Sequence, residues 1–214
     1  MDQLRLPGLP ESALDERTAA GLPADAPPAP WTCRCDALVW WATPRRSGGL
    51  PAGVCGALLS YAASPVGPYS EVLGLLAGLH GFRPSGRVPF IAVDSPASLV
   101  GGRRNWALPK TLAEFTGDPA AGTMTATGNG WTISATARPL GPVLPIRLAG
   151  WLEQPWPDGR RRTARLTGRA SARPALVRVA VRSEGALARL LRPGRHLGLL
   201  LRQAEFSLAA PVGR

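Results

Sequence analysis

The sequence predicts a mainly β protein with a few helices, of the α+β class, in which the strands form one curved antiparallel sheet or barrel. Short apolar runs alternate with clusters of glycine and proline, and this spacing is typical of strands. Asn129-Gly130 separates two alternating Thr-rich runs within residues 122–138, which is the strongest hairpin signal in the chain. There is no repeat and no regular alternation of strands with helices, so a parallel α/β sheet is not expected.

The individual elements follow from the same signals. Residues 1–30 are rich in Pro, Ala and Asp and predict an irregular arm over the surface, which leaves residues 31–214 as a single β domain. A helix is predicted over 95–106, because Ser95 can cap it and Pro96 suits its first turn. A second helix is predicted over 184–191. The predicted strands are the apolar runs at 31–41, 54–63, 69–79, 87–94, 143–151, 163–171, 175–182 and 196–211. Alternation along the first strand assigns one face to Trp31, Cys33, Cys35, Ala37, Val39 and Trp41.

Composition narrows the class of protein. The chain has 214 residues, 45% of them hydrophobic, which is enough for one domain with a sizeable core. No apolar run approaches the ~20 residues that span a bilayer, so no membrane association is expected. The N-terminal residues lack the basic-then-apolar order of a secretory signal, and we expect a cytoplasmic protein.

The net charge of +11 raises the question of a nucleic-acid partner. The arginines are scattered, and Arg160–Arg162 follow the turn sequence Pro157-Asp158-Gly159, which predicts an exposed hairpin tip. We therefore expect no nucleic-acid partner. A basic β-barrel with tryptophan stacking platforms stays open as an alternative, and salt-sensitive retention on heparin would distinguish it.

There are three cysteines, Cys33, Cys35 and Cys55. Because their number is odd, a disulfide framework is not expected, and we interpret them as small buried apolar residues. The two histidines, His80 and His196, are far apart in the sequence. We therefore expect no metal site.

Lys110 is the only lysine, in a chain whose other 24 basic residues are arginines. A lysine amine can lose its proton near neutral pH when it is desolvated, and it can then attack a carbonyl to form a Schiff base. A guanidinium cannot do this. Lys110 follows the apolar stretch Trp106–Pro109, which favours the neutral amine. An amine activated by burial alone would be replaceable by methionine without loss of stability.

The residues around Lys110 resemble a known family. The spacing from Gly102-Arg103 to Pro109-Lys110 is similar to the lysine motif of the acetoacetate decarboxylases. Pro68-Tyr69-Ser70-Glu71 is similar to the family's short strand motif, which ends in a functional glutamate. Asp94 precedes the helix as in the family. Arg34 resembles the family's active-site arginine, because it precedes an aromatic-ended strand. The resemblance covers residues 30–115 and identifies the chain as a divergent member of the acetoacetate decarboxylase-like superfamily.

The resemblance implies a lyase that decarboxylates a small keto acid through an imine at Lys110, with no metal or organic cofactor. It implies that Glu71 is catalytic, orienting the amine or moving protons. Arg34 would hold the substrate carboxylate. Tyr69, Trp106 and Arg103 are further candidates for substrate binding. Family members assemble, so a homo-oligomer is expected.

Two positions depart from the family pattern. Thr111 stands where the family has a second lysine, and Gly56 aligns with a second glutamate. Relatives in the superfamily include Schiff-base enzymes that catalyse aldol condensation and dehydration, and this reaction stays open. A third alternative is a small-ligand-binding barrel that has lost its chemistry.

Overall fold

The computed structural model describes residues 6–42, 53–80 and 83–213. Its strands, in chain order, are β1 Trp31–Ala42, β2 Gly53–Ala63, β3 Tyr69–His80, β4 Arg83–Val93, β5 Lys110–Leu112, β6 Glu114–Asp118, β7 Thr123–Gly128, β8 Trp131–Pro139, β9 Leu144–Pro155, β10 Arg161–Ser183, β11 Gly194–Leu208 and β12 Val212–Gly213. The α-helices are α1 Glu16–Ala20, α2 Pro96–Trp106 and α3 Leu187–Leu191, and short 3-10 helices cover Pro10–Ser12 and Pro119–Ala121. In the part of the chain that the structure describes, no helix is long and apolar enough to cross a membrane.

The strands form one 12-stranded sheet that closes on itself. Its path runs β11-β1-β2-β3-β4-β9-β10, and β10 pairs with β11 to complete a barrel. Most pairings are antiparallel, while β4 pairs in parallel with β5 and β9. The predicted fold class, mainly β with a few helices in a curved sheet or barrel, is confirmed.

The barrel has apolar residues on both sides of its wall. Inward-facing residues of β1, such as Cys33 and Cys35, belong to the core inside the barrel. The opposite face of the same strand contributes Leu38 and Trp40 to a second buried cluster outside the barrel, which includes residues of β8, β10 and α3. Trp40 Nε1 donates to Leu191 O of α3 at 3.2 Å. Trp41, which was predicted to share a face with these cysteines, lies near the end of β1 and is 45% exposed.

One long strand replaces two predicted ones. Residues 163–171 and 175–182 are both parts of β10, which has 23 residues. The first part of β10 pairs with β9 and the second with β8. Pro174 lies where the partner changes, and its carbonyl accepts a hydrogen bond from Leu140 N at 2.9 Å. A proline is tolerated at such a break in the ladder, so the strand continues through it.

Other local predictions hold. Asn129-Gly130 connects β7 to β8 as a hairpin. Ser95 caps α2 by accepting a hydrogen bond from Ser98 N at 3.2 Å, and Pro96 is its first residue. The second helix begins later than predicted, at Leu187.

Candidate active site

The backbone around Lys110 turns sharply. Helix α2 ends at Trp106, and Ala107 takes the left-handed conformation with a φ of 51°. Lys110 N donates to Leu108 O at 2.7 Å, which closes a three-residue turn around Pro109. Lys110 then begins β5, paired in parallel with Ile91 of β4. The turn therefore aims the lysine side chain into the barrel from a rigid strand.

Gly102 and Arg103 of α2 contact the side chain and the backbone of Lys110, respectively. A Cβ at residue 102 would lie 2.5 Å from Lys110 Cδ, so only glycine leaves room for the lysine chain to cross the helix. Arg103 Nε donates to Lys110 O at 2.7 Å, and Arg103 Nη2 donates to Ser12 O at 3.1 Å. Burial lowers the pKa of Arg103 to about 10, so the guanidinium keeps its charge at neutral pH. The structure places Arg103 on the backbone of Lys110 and not among the residues that line the cavity.

The lysine amine lies in a buried polar cluster. Lys110 Nζ donates to Glu71 Oε2 at 2.8 Å and to Ser98 Oγ at 2.9 Å. The side chains of Lys110 and Glu71 are each only 4% exposed. The Tyr61 hydroxyl donates to Glu71 Oε1 at 2.9 Å. The Tyr69 ring lies 5.3 Å from Lys110 Nζ. The amine therefore has a carboxylate partner, Glu71, the residue to which the family resemblance gave the role of orienting it.

Strand register explains how these side chains meet. Tyr69 and Glu71 lie two residues apart on β3 and so face the same side. Tyr61 pairs with Tyr69 across the β2–β3 hairpin, and their rings stack with centroids 4.2 Å apart. Sequence reasoning missed Tyr61 and Ser98. Pairing the two predicted strands around their turn would have found Tyr61, and the one-turn spacing from Ser98 to Gly102 would have placed Ser98 on the helix face that Lys110 crosses.

The tyrosines and cysteines near the amine stay protonated at neutral pH. Burial, followed by the charge of Glu71, raises the pKa of Tyr61 and of Tyr69 well above its ordinary value. Burial, again followed by the Glu71 charge, raises the pKa of the Cys33 thiol to about 12 and also raises that of Cys35. A protonated thiol is a poor nucleophile, so neither Cys33 nor Cys35 is primed to react at neutral pH.

These side chains lie at a cavity of about 450 Å³ inside the barrel. Tyr69 and Trp106 contribute to its wall, as the sequence suggested, and Trp106 Nε1 donates to Ala209 O at 2.8 Å. Among the described lining residues, Lys110 supplies an amine and Glu71 a carboxylate. The other lining side chains are mainly apolar. The geometry thus combines a buried amine, a carboxylate at hydrogen-bond distance and an apolar chamber.

Solved structures with the same architecture are known. An acetoacetate decarboxylase from Legionella pneumophila is 15% identical, with a TM-score of 0.59 over 91% of this chain and 92% of that one. The enduracididine biosynthesis enzyme MppR complexed with pyruvate is 15% identical, with a TM-score of 0.60 over 91% and 93% of the two chains. An acetoacetate decarboxylase-like enzyme from Sphingomonas wittichii is 14% identical, with a TM-score of 0.56 over 88% and 94%. The chain has the acetoacetate decarboxylase fold. No protein-family model and no curated protein matches the sequence.

Within the acetoacetate decarboxylase fold, Arg34 does not reach the cavity. Cys33 and Cys35 face inward, so the alternation of β1 turns Arg34 outward, and its side chain is exposed. Its cross-strand partner there is Glu205 of β11. This placement contradicts the expectation that Arg34 holds a substrate carboxylate in this cavity.

The structure also shows where Gly56 and Thr111, the two residues that depart from the family pattern, lie. Gly56 lies on the outer face of β2, where a Cβ would collide with the Trp40 ring. The residue of β2 that reaches Glu71 is Tyr61, so aligning Gly56 with an active-site glutamate was wrong. Thr111 follows Lys110 in β5, and its side chain is not among those that line the cavity.

The raised pKa of Cys33 makes stability depend on pH. Between the ~8.5 of an unfolded thiol and the folded pKa of about 12, the unfolded chain binds fewer protons than the folded one. The free energy of unfolding should therefore fall as pH rises through this window, by up to ~1.4 kcal/mol per pH unit for this thiol. Urea unfolding of the wild type and of Cys33→Ala between pH 9 and 10.5 should show the shallower slope in the variant.

Leu59→Ala is the matched control, because Leu59 lines the same cavity and carries no titrating group. It should be less stable than the wild type at every pH and keep the wild-type slope. Equal slopes for the wild type and Cys33→Ala would contradict the assignment.

Proposed function

We propose that this protein is a Schiff-base-forming enzyme of the acetoacetate decarboxylase-like superfamily, which removes carbon dioxide from a keto acid through an imine at Lys110. The observation that carries the proposal is the Lys110 amine itself, buried at the cavity surface 2.8 Å from Glu71. The acetoacetate decarboxylase fold supports it.

The pair provides a route to the neutral amine. Glu71 is placed to accept the proton that Lys110 must lose before it can attack a carbonyl. Transfer along this hydrogen bond converts an ammonium and a carboxylate into an amine and a carboxylic acid. No charged group is then left in the pair, which lies in an apolar cavity where burying charge is costly.

The reaction follows from that state. The Lys110 nitrogen bonds to the carbonyl carbon of the substrate, and the carbinolamine loses water when Glu71 returns its proton to the leaving hydroxyl. The iminium draws in the electrons of the bond between the α carbon and the carboxylate, carbon dioxide leaves, and the electron pair forms the C=C bond of an enamine. The enamine carbon takes up one proton, and hydrolysis with one water releases the ketone and restores Lys110.

Tyr61 and Ser98 position the reacting pair. The Tyr61 hydroxyl donates to the Glu71 oxygen that does not contact the lysine, which fixes the carboxyl plane. Ser98 Oγ accepts from Lys110 Nζ and holds the amine at the end of its chain. Together they keep the nitrogen and the carboxylate in one geometry while the proton moves.

Carbonyl condensation is the second candidate, because it uses the same imine. One MppR structure is complexed with the condensation product of pyruvate and imidazole 4-carboxaldehyde, and it is 15% identical to this chain with a TM-score of 0.57. Product analysis separates the reactions, since decarboxylation releases carbon dioxide and condensation releases water.

The single lysine makes the test direct. Borohydride reduces an imine to a stable secondary amine, and here only Lys110 and the terminal amine can form one. Incubation with a keto acid and borohydride near pH 7 should add one substrate-derived mass to the peptide that holds Lys110. A panel of keto acids that labels only the terminal amine would refute the proposal.

Replacing Gly102 by alanine should slow this labelling by roughly 10–100-fold, because the new methyl group displaces the Lys110 side chain and so moves the amine. The rate of imine trapping measures the effect. The free energy of unfolding should also fall, by about 1–3 kcal/mol, because the methyl group overpacks the site and disturbs the buried Lys110–Glu71 pair. Gly78→Ala is the control, because a Cβ there meets nothing within 4 Å. Equal trapping rates in the two variants would contradict this role of Gly102.

A further inference from the structure

The cavity is long and has a polar end and an apolar end. It follows one face of β3 through Glu71, Leu73, Leu75 and Ala77, which is roughly 20 Å of extended strand. Glu71, Tyr61, Tyr69 and Lys110 are together at one end. The other end lies beside Ala77 and residues 84–86, where Ser85 is the polar residue of the described lining.

The cavity has a larger volume than a small keto acid would fill. A cavity of about 150 Å³ is enough for benzene, which is about as large as acetoacetate. This cavity has about 450 Å³, so acetoacetate would occupy about a third of it. Spread over roughly 20 Å, its volume gives a mean cross-section of about 22 Å², close to that of one extended hydrocarbon chain.

The wall beyond the polar end suits such a chain. Leu73, Leu75 and Ala77 face the cavity and are only half-buried, so their apolar surface is available to a ligand. Leu152 of β9 lines it in the same way, beside Gly86 of β4. Contiguous apolar surface of this kind marks a binding groove, with the few polar groups fixing orientation.

We propose that the substrate is an unbranched aliphatic 3-oxo acid of medium to long chain, an inference that rests on the proposed role of Lys110. The carbonyl carbon and the nearby carboxylate lie at the Lys110 end, and the hydrocarbon chain extends along β3 toward Ala77. In the reaction the C–C bond to the carboxylate breaks, one proton is taken up, and the products are carbon dioxide and a methyl ketone.

The test measures imine trapping by borohydride for acetoacetate, 3-oxohexanoate, 3-oxooctanoate and 3-oxodecanoate. Trapping efficiency at limiting substrate should rise by about threefold for each buried methylene, and by a hundredfold or more from acetoacetate to 3-oxodecanoate. A series in which all four compounds label Lys110 equally well would overturn the chain-length inference and leave the role of Lys110 standing.

A paired substitution tests where the chain lies. Ala77→Phe places a ring inside the cavity at its apolar end and should lower the ratio of 3-oxohexadecanoate to acetoacetate trapping by tenfold or more, because a chain of that length extends from Lys110 to Ala77. Gly78→Phe adds the same side chain at the next residue, which is exposed and not part of the lining, and should keep the wild-type ratio. Equal ratios in both variants would overturn the placement of the chain along β3.

A binding measurement separates this inference from the proposed chemistry. Trp31, Trp106 and Trp151 line the cavity, so a ligand there should change tryptophan fluorescence. 2-Nonanol has no carbonyl and cannot form an imine, yet it should bind at least tenfold more tightly than 2-pentanol. Length-dependent binding of the alcohols, together with no imine from any of the 3-oxo acids, would refute the chemistry and keep the apolar-chain specificity. Binding that does not depend on length would overturn the specificity.

Discussion

Replacing Lys110 by arginine is expected to abolish both the borohydride adduct and turnover, a loss of roughly 10⁴-fold or more as for the removal of other covalent nucleophiles. Arginine keeps the positive charge and the donors that face Glu71, so the fold should be retained. A guanidinium has a pKa above ~12 and does not become a nucleophile. Intact-mass analysis after trapping measures the adduct, and release of carbon dioxide measures turnover. Circular dichroism confirms that the variant is folded.

Lys110→Arg combined with Arg104→Lys gives a control with the same number of lysines. Arg104 lies one residue beyond Arg103 on α2 and contacts Asp25 at the surface, at 2.9 Å. A lysine there is solvated and should not form the adduct near neutral pH. Turnover by Lys110→Arg, or an adduct at residue 104 as efficient as that at Lys110, would refute the role of the buried amine.

Replacing Lys110 by methionine is expected to lower the free energy of unfolding by roughly 3–5 kcal/mol at neutral pH. The lysine and Glu71 form a buried pair at 2.8 Å, and removal of one partner leaves the other charge without compensation. The sequence predicted no such loss, because the apolar stretch before Lys110 indicates activation of the amine by burial alone. Urea unfolding at pH 7 measures the change.

The double variant Lys110→Met with Glu71→Gln isolates the pair. It removes both charges, so it should recover most of the stability that Lys110→Met loses. Glu71→Gln alone should also be destabilising, because it leaves the ammonium buried. A Lys110→Met protein as stable as the wild type would show that the pair contributes nothing to the fold.

Much of this arrangement could be predicted from residue types and spacing. The hairpin at Asn129-Gly130 and the cap at Ser95 are local signals, and local geometry decides them. Lys110 stood out because it is chemically unlike the 24 arginines. The alternation that assigned Cys33 and Cys35 to one face of β1 already turned Arg34 to the other. For Arg34 the strand period was therefore a better guide than the family resemblance.

The parts that escaped prediction depend on contacts between distant segments. Ser98 contacts Lys110 only because α2 packs against the strand that follows it. Nothing in the sequence distinguishes this serine from one without a role in the site. Trp40 is buried where its Nε1 donates to Leu191 O of α3, a residue far along the chain. The continuity of β10 through Pro174 depends on the change of partner from β9 to β8, which sequence periodicity does not reveal.

The pairing of β1 with β11 joins the two ends of the domain, with Trp31 opposite Leu208. Both of these residues line the cavity, so its wall is complete only after the last strands have been synthesised. Contacts between such distant residues raise the contact order, and chains of this kind fold in milliseconds to seconds. On the ribosome, where synthesis proceeds at about 5–20 residues per second, the nascent chain therefore has a long interval in which β1 presents an unpaired edge. Chaperone dependence during synthesis should accordingly be governed by β1 and relieved once β11 emerges.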